Sequence, residues 1–85
     1  MKSDLDQLQL LSKIAFGNQH AFEELFSLYY RVLCQFAYLF LKSTELSEEV
    51  VSDVFFNIWQ NRQQLPHIEN LEAYLYKAVK NQSLH

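Results

Sequence analysis

The chain holds one cysteine, one proline, one glycine, one methionine and one tryptophan in 85 residues. Cys34 standing alone excludes an internal disulfide and leaves no pair of thiols for a zinc site; it suits a reducing compartment. One glycine and one proline leave little turn chemistry. That excludes a sandwich or barrel of short strands and favours a few long helices. The longest apolar stretch, residues 32–41, is interrupted by Gln35 and reaches only about half of the ~20 residues of a membrane span. The N-terminus, MKSDLDQLQLLSK, carries acids where a secretion signal carries bases. The expectation is a soluble, cytoplasmic chain with no membrane insertion.

Catalytic groups are equally sparse. His20, His67 and His85 are scattered and form no metal-ligand pattern, and Gly17 alone makes no phosphate-binding loop. Cys34 sits in the most apolar segment, where a buried structural thiol is expected rather than a nucleophile. These absences point away from an enzyme, a metal site or a bound cofactor.

What is present is apolar. Hydrophobic residues make up 49% and charged residues 20%, enough to bury a core, although a chain this short hides a modest share of its surface. Seven Phe, five Tyr and one Trp supply large areas to that core. The net charge is −3, but the charges are sorted. Residues 43–59 carry Glu45, Glu48, Glu49 and Asp53 and no base; residues 73–85 carry Lys77 and Lys80 and no acid. Such a field fits two different partners.

Apolar spacing predicts an all-α domain, a compact bundle of four helices. The first spans about Asp4 to Phe16, capped by Ser3 or Asp4 and ended by a left-handed Gly17, with Leu5, Leu8, Leu11 and Ala15 inward. The second spans Gln19 to Lys42 after an Asn18 cap. Its inward positions are Phe22, Leu25, Phe26, Tyr29, Leu33, Phe36, Ala37 and Phe40, and its second half is apolar enough to be surrounded. The third spans Thr44 to Arg62 after Ser43 or Thr44, with Leu46, Val50, Val54, Phe55 and Ile58 inward. Pro66 stops it, and residues 62–70 read as a loop. The fourth starts at the Asn70 cap and runs to the last residue, with Leu71, Leu75, Ala78, Val79 and Gln82 on one side. Because it shows no stop signal, the expectation is a domain excised from a longer chain.

Two faces carry chemistry. Glu45, Glu49 and Asp53 stack like charges at steps of four, each pair costing an isolated helix about 0.2–0.5 kcal/mol. The N-terminal dipole favours Glu45 and Glu48 but does not reach Asp53. Phe56 shares that polar side. An acidic stripe with an aromatic fits a solvated face or a docking face for a basic, partly apolar helix. On the fourth helix Tyr74, Lys77, Lys80 and Asn81 recur at helical spacing beside the loop. Lysines neutralise phosphates, aromatics stack on bases and Asn reads base edges, while the same lysines also suit a helix C-terminus and tyrosines at this spacing suit a core.

The stretch SEEVVSDVFFNIW, Ser47 to Trp59, resembles the central motif of bacterial sigma factors, above all the extracytoplasmic-function group. The usual form there is Ala-Glu-Asp-hydrophobic-Val-Gln-Glu-Val-Phe-Leu-x-hydrophobic-Trp. AYLYKAVKN, Ala73 to Asn81, resembles the motif that follows in the family, roughly Ala-Trp-Leu-Tyr-Arg-Ile-Ala-Arg-Asn. Phe22, Leu25, Tyr29 and Ala37 match the opening helices, and the motifs stand in family order with the proline-containing loop between them. The resemblance implies region two, the helical domain joining RNA polymerase to promoter DNA. It carries Glu49, Ser52, Asp53, Phe56, Trp59 and Gln60 over as positions that bind the beta-prime clamp helices of the core polymerase. It carries Gln64, His67, Asn70, Tyr74, Lys77, Lys80 and Asn81 over as positions that recognise the minus-ten element, take a flipped base and hold the melted non-template strand. It also implies an anti-sigma partner and a further helix-turn-helix domain. Ser52 stands where the family has Gln, Tyr74 where it has Trp, and the Asp and Leu-Arg that follow in the family lie beyond His85. The alternative is a helical protein-interaction module without a DNA role.

Overall fold

The computed structural model describes residues 4–85. Among the described residues there are four α-helices: α1 Asp4–Ala15, α2 Gln19–Leu41, α3 Thr44–Gln60 and α4 Leu71–Ser83, with a short 3-10 helix, Arg62–His67, between α3 and α4. The fold is all-α, as the spacing predicts. The starts of α2, α3 and α4 are each fixed by a side chain that takes up an orphan amide. Asn18 Oδ1 accepts from Ala21 N at 3.0 Å, Ser43 Oγ from Leu46 N at 3.2 Å, and Asn70 Oδ1 from Ala73 N at 3.0 Å. For α1, Ser3 lies outside the described residues, and Asp4 is already helical rather than a cap.

Chain reversals use left-handed residues. Gly17 (φ 92) ends α1, with Asn18 N donating to Lys13 O at 3.0 Å, the six-to-one bond of a glycine-terminated helix. Lys42 (φ 54) ends α2 in the same region, and its N–H reaches Tyr38 O at 2.9 Å.

α2 packs against α3, α4 packs against both, and α1 lies against the 3-10 helix and α2. The core joins Leu11 and Ile14 of α1, Leu25, Leu33 and Ala37 of α2, Val51 and Phe55 of α3, Leu65, and Leu75 and Val79 of α4. Each such buried aliphatic or aromatic side chain contributes about 1.5–3 kcal/mol of transfer free energy. The radius of gyration is 12.6 Å, close to the ~12 Å of a compact chain of this length.

The structure corrects several sequence expectations. In α1, Leu11 is buried as expected and Ala15 half-buried, but Leu5 and Leu8 face solvent, and Leu10 and Ile14 are buried instead. In α3 the buried stripe is Ser47, Val51, Val54, Phe55 and Ile58; Leu46 is exposed and Val50 half-buried. Ser47 tolerates burial because its hydroxyl donates to Ser43 O at 2.6 Å. The second half of α2 is not surrounded. Val32, Tyr38 and Leu39 face outward, Leu39 at 63% exposure, because α3 and α4 cover only part of its circumference. α3 stops at Gln60, two residues short of Arg62, and most of the expected loop is the 3-10 helix, anchored by buried Leu65. α4 ends at Ser83, with Ser83 inward and Gln82 exposed. Cys34 is half-buried rather than buried.

Candidate functional site

Glu49, Ser52, Asp53, Phe56 and Gln60 are all exposed and recur at steps of three and four, so they form one stripe on the outer side of α3. Phe56 is 61% exposed, an apolar ring among acids. Trp59 differs. It is half-buried at the margin of the stripe, its ring 5.0 Å from that of Phe22, with the Arg62 guanidinium over the ring at 4.4 Å from its centroid. Arg62 Nη1 also donates to Trp59 O at 2.9 Å, so one side chain covers the ring and ties off a carbonyl at the end of the helix.

The α2–α3 seam beside this stripe is aromatic. Phe22 and Phe26 of α2 meet Phe55 and Trp59 of α3: Phe26 to Phe55 is 5.0 Å and Phe22 to Phe55 is 6.2 Å, edge to face. Further along, the Tyr30 hydroxyl lies near the Cys34 thiol and the Ser52 hydroxyl, the latter one of the stripe positions. Burial pushes the Tyr30 hydroxyl and the Cys34 thiol above their ordinary values. A thiol held protonated in this way is a weak nucleophile.

On α4, Tyr74, Lys77 and Asn81 are exposed on one stripe, continued upstream by Asn70; Lys80 is exposed to one side of it. Asn70 uses its carbonyl oxygen as the helix cap, which leaves its amide N–H groups outward. Gln64 and His67 are exposed on the 3-10 helix that leads into α4. These residues therefore lie on one continuous segment, 64–81, whose register is held by Leu65, Leu71 and Leu75 beneath. Tyr29 Oη donates to Glu72 Oε1 at 3.4 Å and ties the start of this segment to α2.

Arg62 has no signal in the spacing, because it acts through a turn that periodicity does not describe. Phe22, Phe26 and Phe55 read as inward positions, but their meeting with Trp59 in one aromatic cluster depends on how α2 and α3 pack. Among the described residues no group of three or more His, Cys, Asp or Glu side chains is placed to hold a metal ion, and no helix is long and apolar enough to cross a membrane.

The described residues thus form an all-helical domain with two exposed, chemically distinct helix faces. Residues 25–85 match the family Sigma-70 region 2. The chain belongs to that family, and so is a transcription-initiation domain of the kind that binds core RNA polymerase and recognises the promoter minus-ten element. Neither the curated proteins nor the solved structures yield a match.

Proposed function

We propose that α3 docks on the beta-prime clamp helices of core RNA polymerase while segment 64–81 recognises and melts the minus-ten element. The observation that carries the proposal is the acidic stripe with exposed Phe56, set within the family match. Glu49 and Asp53 supply charge to a basic helix, Phe56 supplies apolar area, and Ser52, Gln60 and Trp59 border the contact. Lys77 and Lys80 neutralise phosphates of the non-template strand, Tyr74 stacks on a base, and Asn81 reads a base edge. Gln64, His67 and Asn70 cradle a base taken out of the stack. Flipping costs a few kcal/mol, which the pocket recovers, so single-strand capture favours open over closed DNA. The domain performs no chemistry of its own. It works in the cytoplasm as part of a longer extracytoplasmic-function sigma factor with a C-terminal helix-turn-helix domain, and an anti-sigma protein competes for the α3 face.

A pull-down of the chain on a beta-prime clamp-helix fragment at moderate salt tests the docking half. Glu49→Lys with Asp53→Lys abolishes retention if α3 is the contact. Unchanged retention removes the assignment.

A further inference from the structure

The seam between α2 and α3 opens as a groove of about 400 Å³ lined by Gln19, Phe22, Glu23, Phe26 and Trp59. We infer that this groove is the apolar anchor site of the polymerase contact, taking one large apolar side chain from the basic helix that lies over α3. The inference rests on the docking reading of α3 and extends it onto α2.

Three observations converge. The groove is continuous with the acidic stripe, because Trp59 lies one turn beyond Phe56 on the same helix. Its walls are rings that already pack on neighbours: Trp59 meets Phe22 at 5.0 Å and Arg62 at 4.4 Å, and Phe26 stacks with Tyr30 at 4.6 Å. A pre-formed wall spares the ordering cost that weakens many interfaces. Among the described residues, the one charged side chain lining the groove is an acid, Glu23, exposed on α2. A helix that brings bases to Glu49 and Asp53 therefore meets a further acid beside the apolar slot. Apolar floor and acidic rim together fit an apolar side chain flanked by Lys or Arg, the usual arrangement of a helix seated in a groove.

Trp59 is the sole tryptophan of the chain, so its emission reports the groove directly. The full chain is titrated with the clamp-helix fragment, for the parent and for Glu23→Lys and Asp53→Lys. The expected result is a blue shift of Trp59 emission on binding and an affinity loss of about two- to fivefold for Glu23→Lys, with an unchanged circular dichroism spectrum. Binding that depends on Asp53 but leaves Trp59 emission unmoved and ignores Glu23→Lys overturns the groove and spares the docking face. No binding at all overturns both. An emission shift that follows the concentration of the chain alone assigns the groove to a second copy and overturns the inference.

Discussion

The Tyr29 hydroxyl donates to the Glu72 carboxylate across 3.4 Å, joining the middle of α2 to the first turn of α4. Burial first, and then the negative charge of Glu72, raise the Tyr29 hydroxyl above its ordinary 10.0. Burial likewise raises Tyr30 above 10.0 and Cys34 above 9.0, Cys34 despite the neighbouring Tyr30 hydroxyl. All three groups thus bind their protons more tightly in the folded state. Their contribution is fully present below their unfolded values and is lost as pH rises through the folded ones. Thermal melts at stepped pH are expected to show no loss from these groups at neutral pH and a falling midpoint above about pH 9–10. Tyr29→Phe should flatten that fall. An identical alkaline slope in the variant would show that the Tyr29 contact has no part in it.

The outcome at α1 separates two leucines one turn apart. Leu11 is buried and Leu8 is exposed. Leu11→Ala is expected to cost about 2–5 kcal/mol, through lost transfer energy and an unfilled cavity. Leu8→Ala is expected to fall within about 0.5 kcal/mol. For a domain whose whole stability is about 4–13 kcal/mol, urea titration distinguishes the two without difficulty. Equal effects would return Leu8 to the core.

That pair also shows what periodicity leaves undecided. Leu5, Leu8 and Leu11 satisfy a helical stripe, and so do Leu10, Leu11 and Ile14. The choice depends on where α2 and the 3-10 helix stand, which is a tertiary matter. The same ambiguity moved the α3 core from Leu46 to Ser47, since a serine with a local acceptor counts as polar in a pattern and as satisfied in a core. The caps Asn18, Ser43 and Asn70, the left-handed Gly17 and the inward Leu25, Leu33, Leu75 and Val79 were legible because each is set by local chemistry or by a long unbroken stripe. The exposed positions of both faces followed from those stripes. The Tyr29–Glu72 and Trp59–Arg62 contacts did not, because the first spans distant parts of the chain and the second depends on a 3-10 turn.

Arg62 holds the exit of α3 by two contacts at once, the Trp59 ring at 4.4 Å and its carbonyl at 2.9 Å. Arg62→Ala removes a cation–π contact of about 0.5–1 kcal/mol and a hydrogen bond of about 0.5–1.5 kcal/mol, so a loss of about 1–2 kcal/mol is expected. Arg62→Lys should recover little, since an ammonium lacks the planar fork that meets the ring and carbonyl together. Denaturant midpoints and Trp59 emission measure both. A lysine variant as stable as the parent would reduce the contact to simple charge.

Lys80 and Asn81 stand side by side on α4, yet the proposed DNA contact gives them different signatures. A lysine on a phosphate releases a counterion, so its loss should lower the slope of log affinity against log salt by about 0.7 for a single strand. An asparagine on a base edge releases none. Its loss should lower affinity by ~1 kcal/mol or more at every salt concentration and leave the slope alone. The measurement is fluorescence anisotropy of a labelled non-template oligonucleotide on core polymerase carrying the chain, for Lys80→Ala and Asn81→Ala, over a series of salt concentrations. The polymerase is needed because a chain of net charge −3 has little attraction for DNA by itself. If Lys80→Ala leaves the slope unchanged, Lys80 serves the α4 C-terminus and not a phosphate. If Asn81→Ala changes the slope instead of the affinity, its neighbours, not Asn81, read the base.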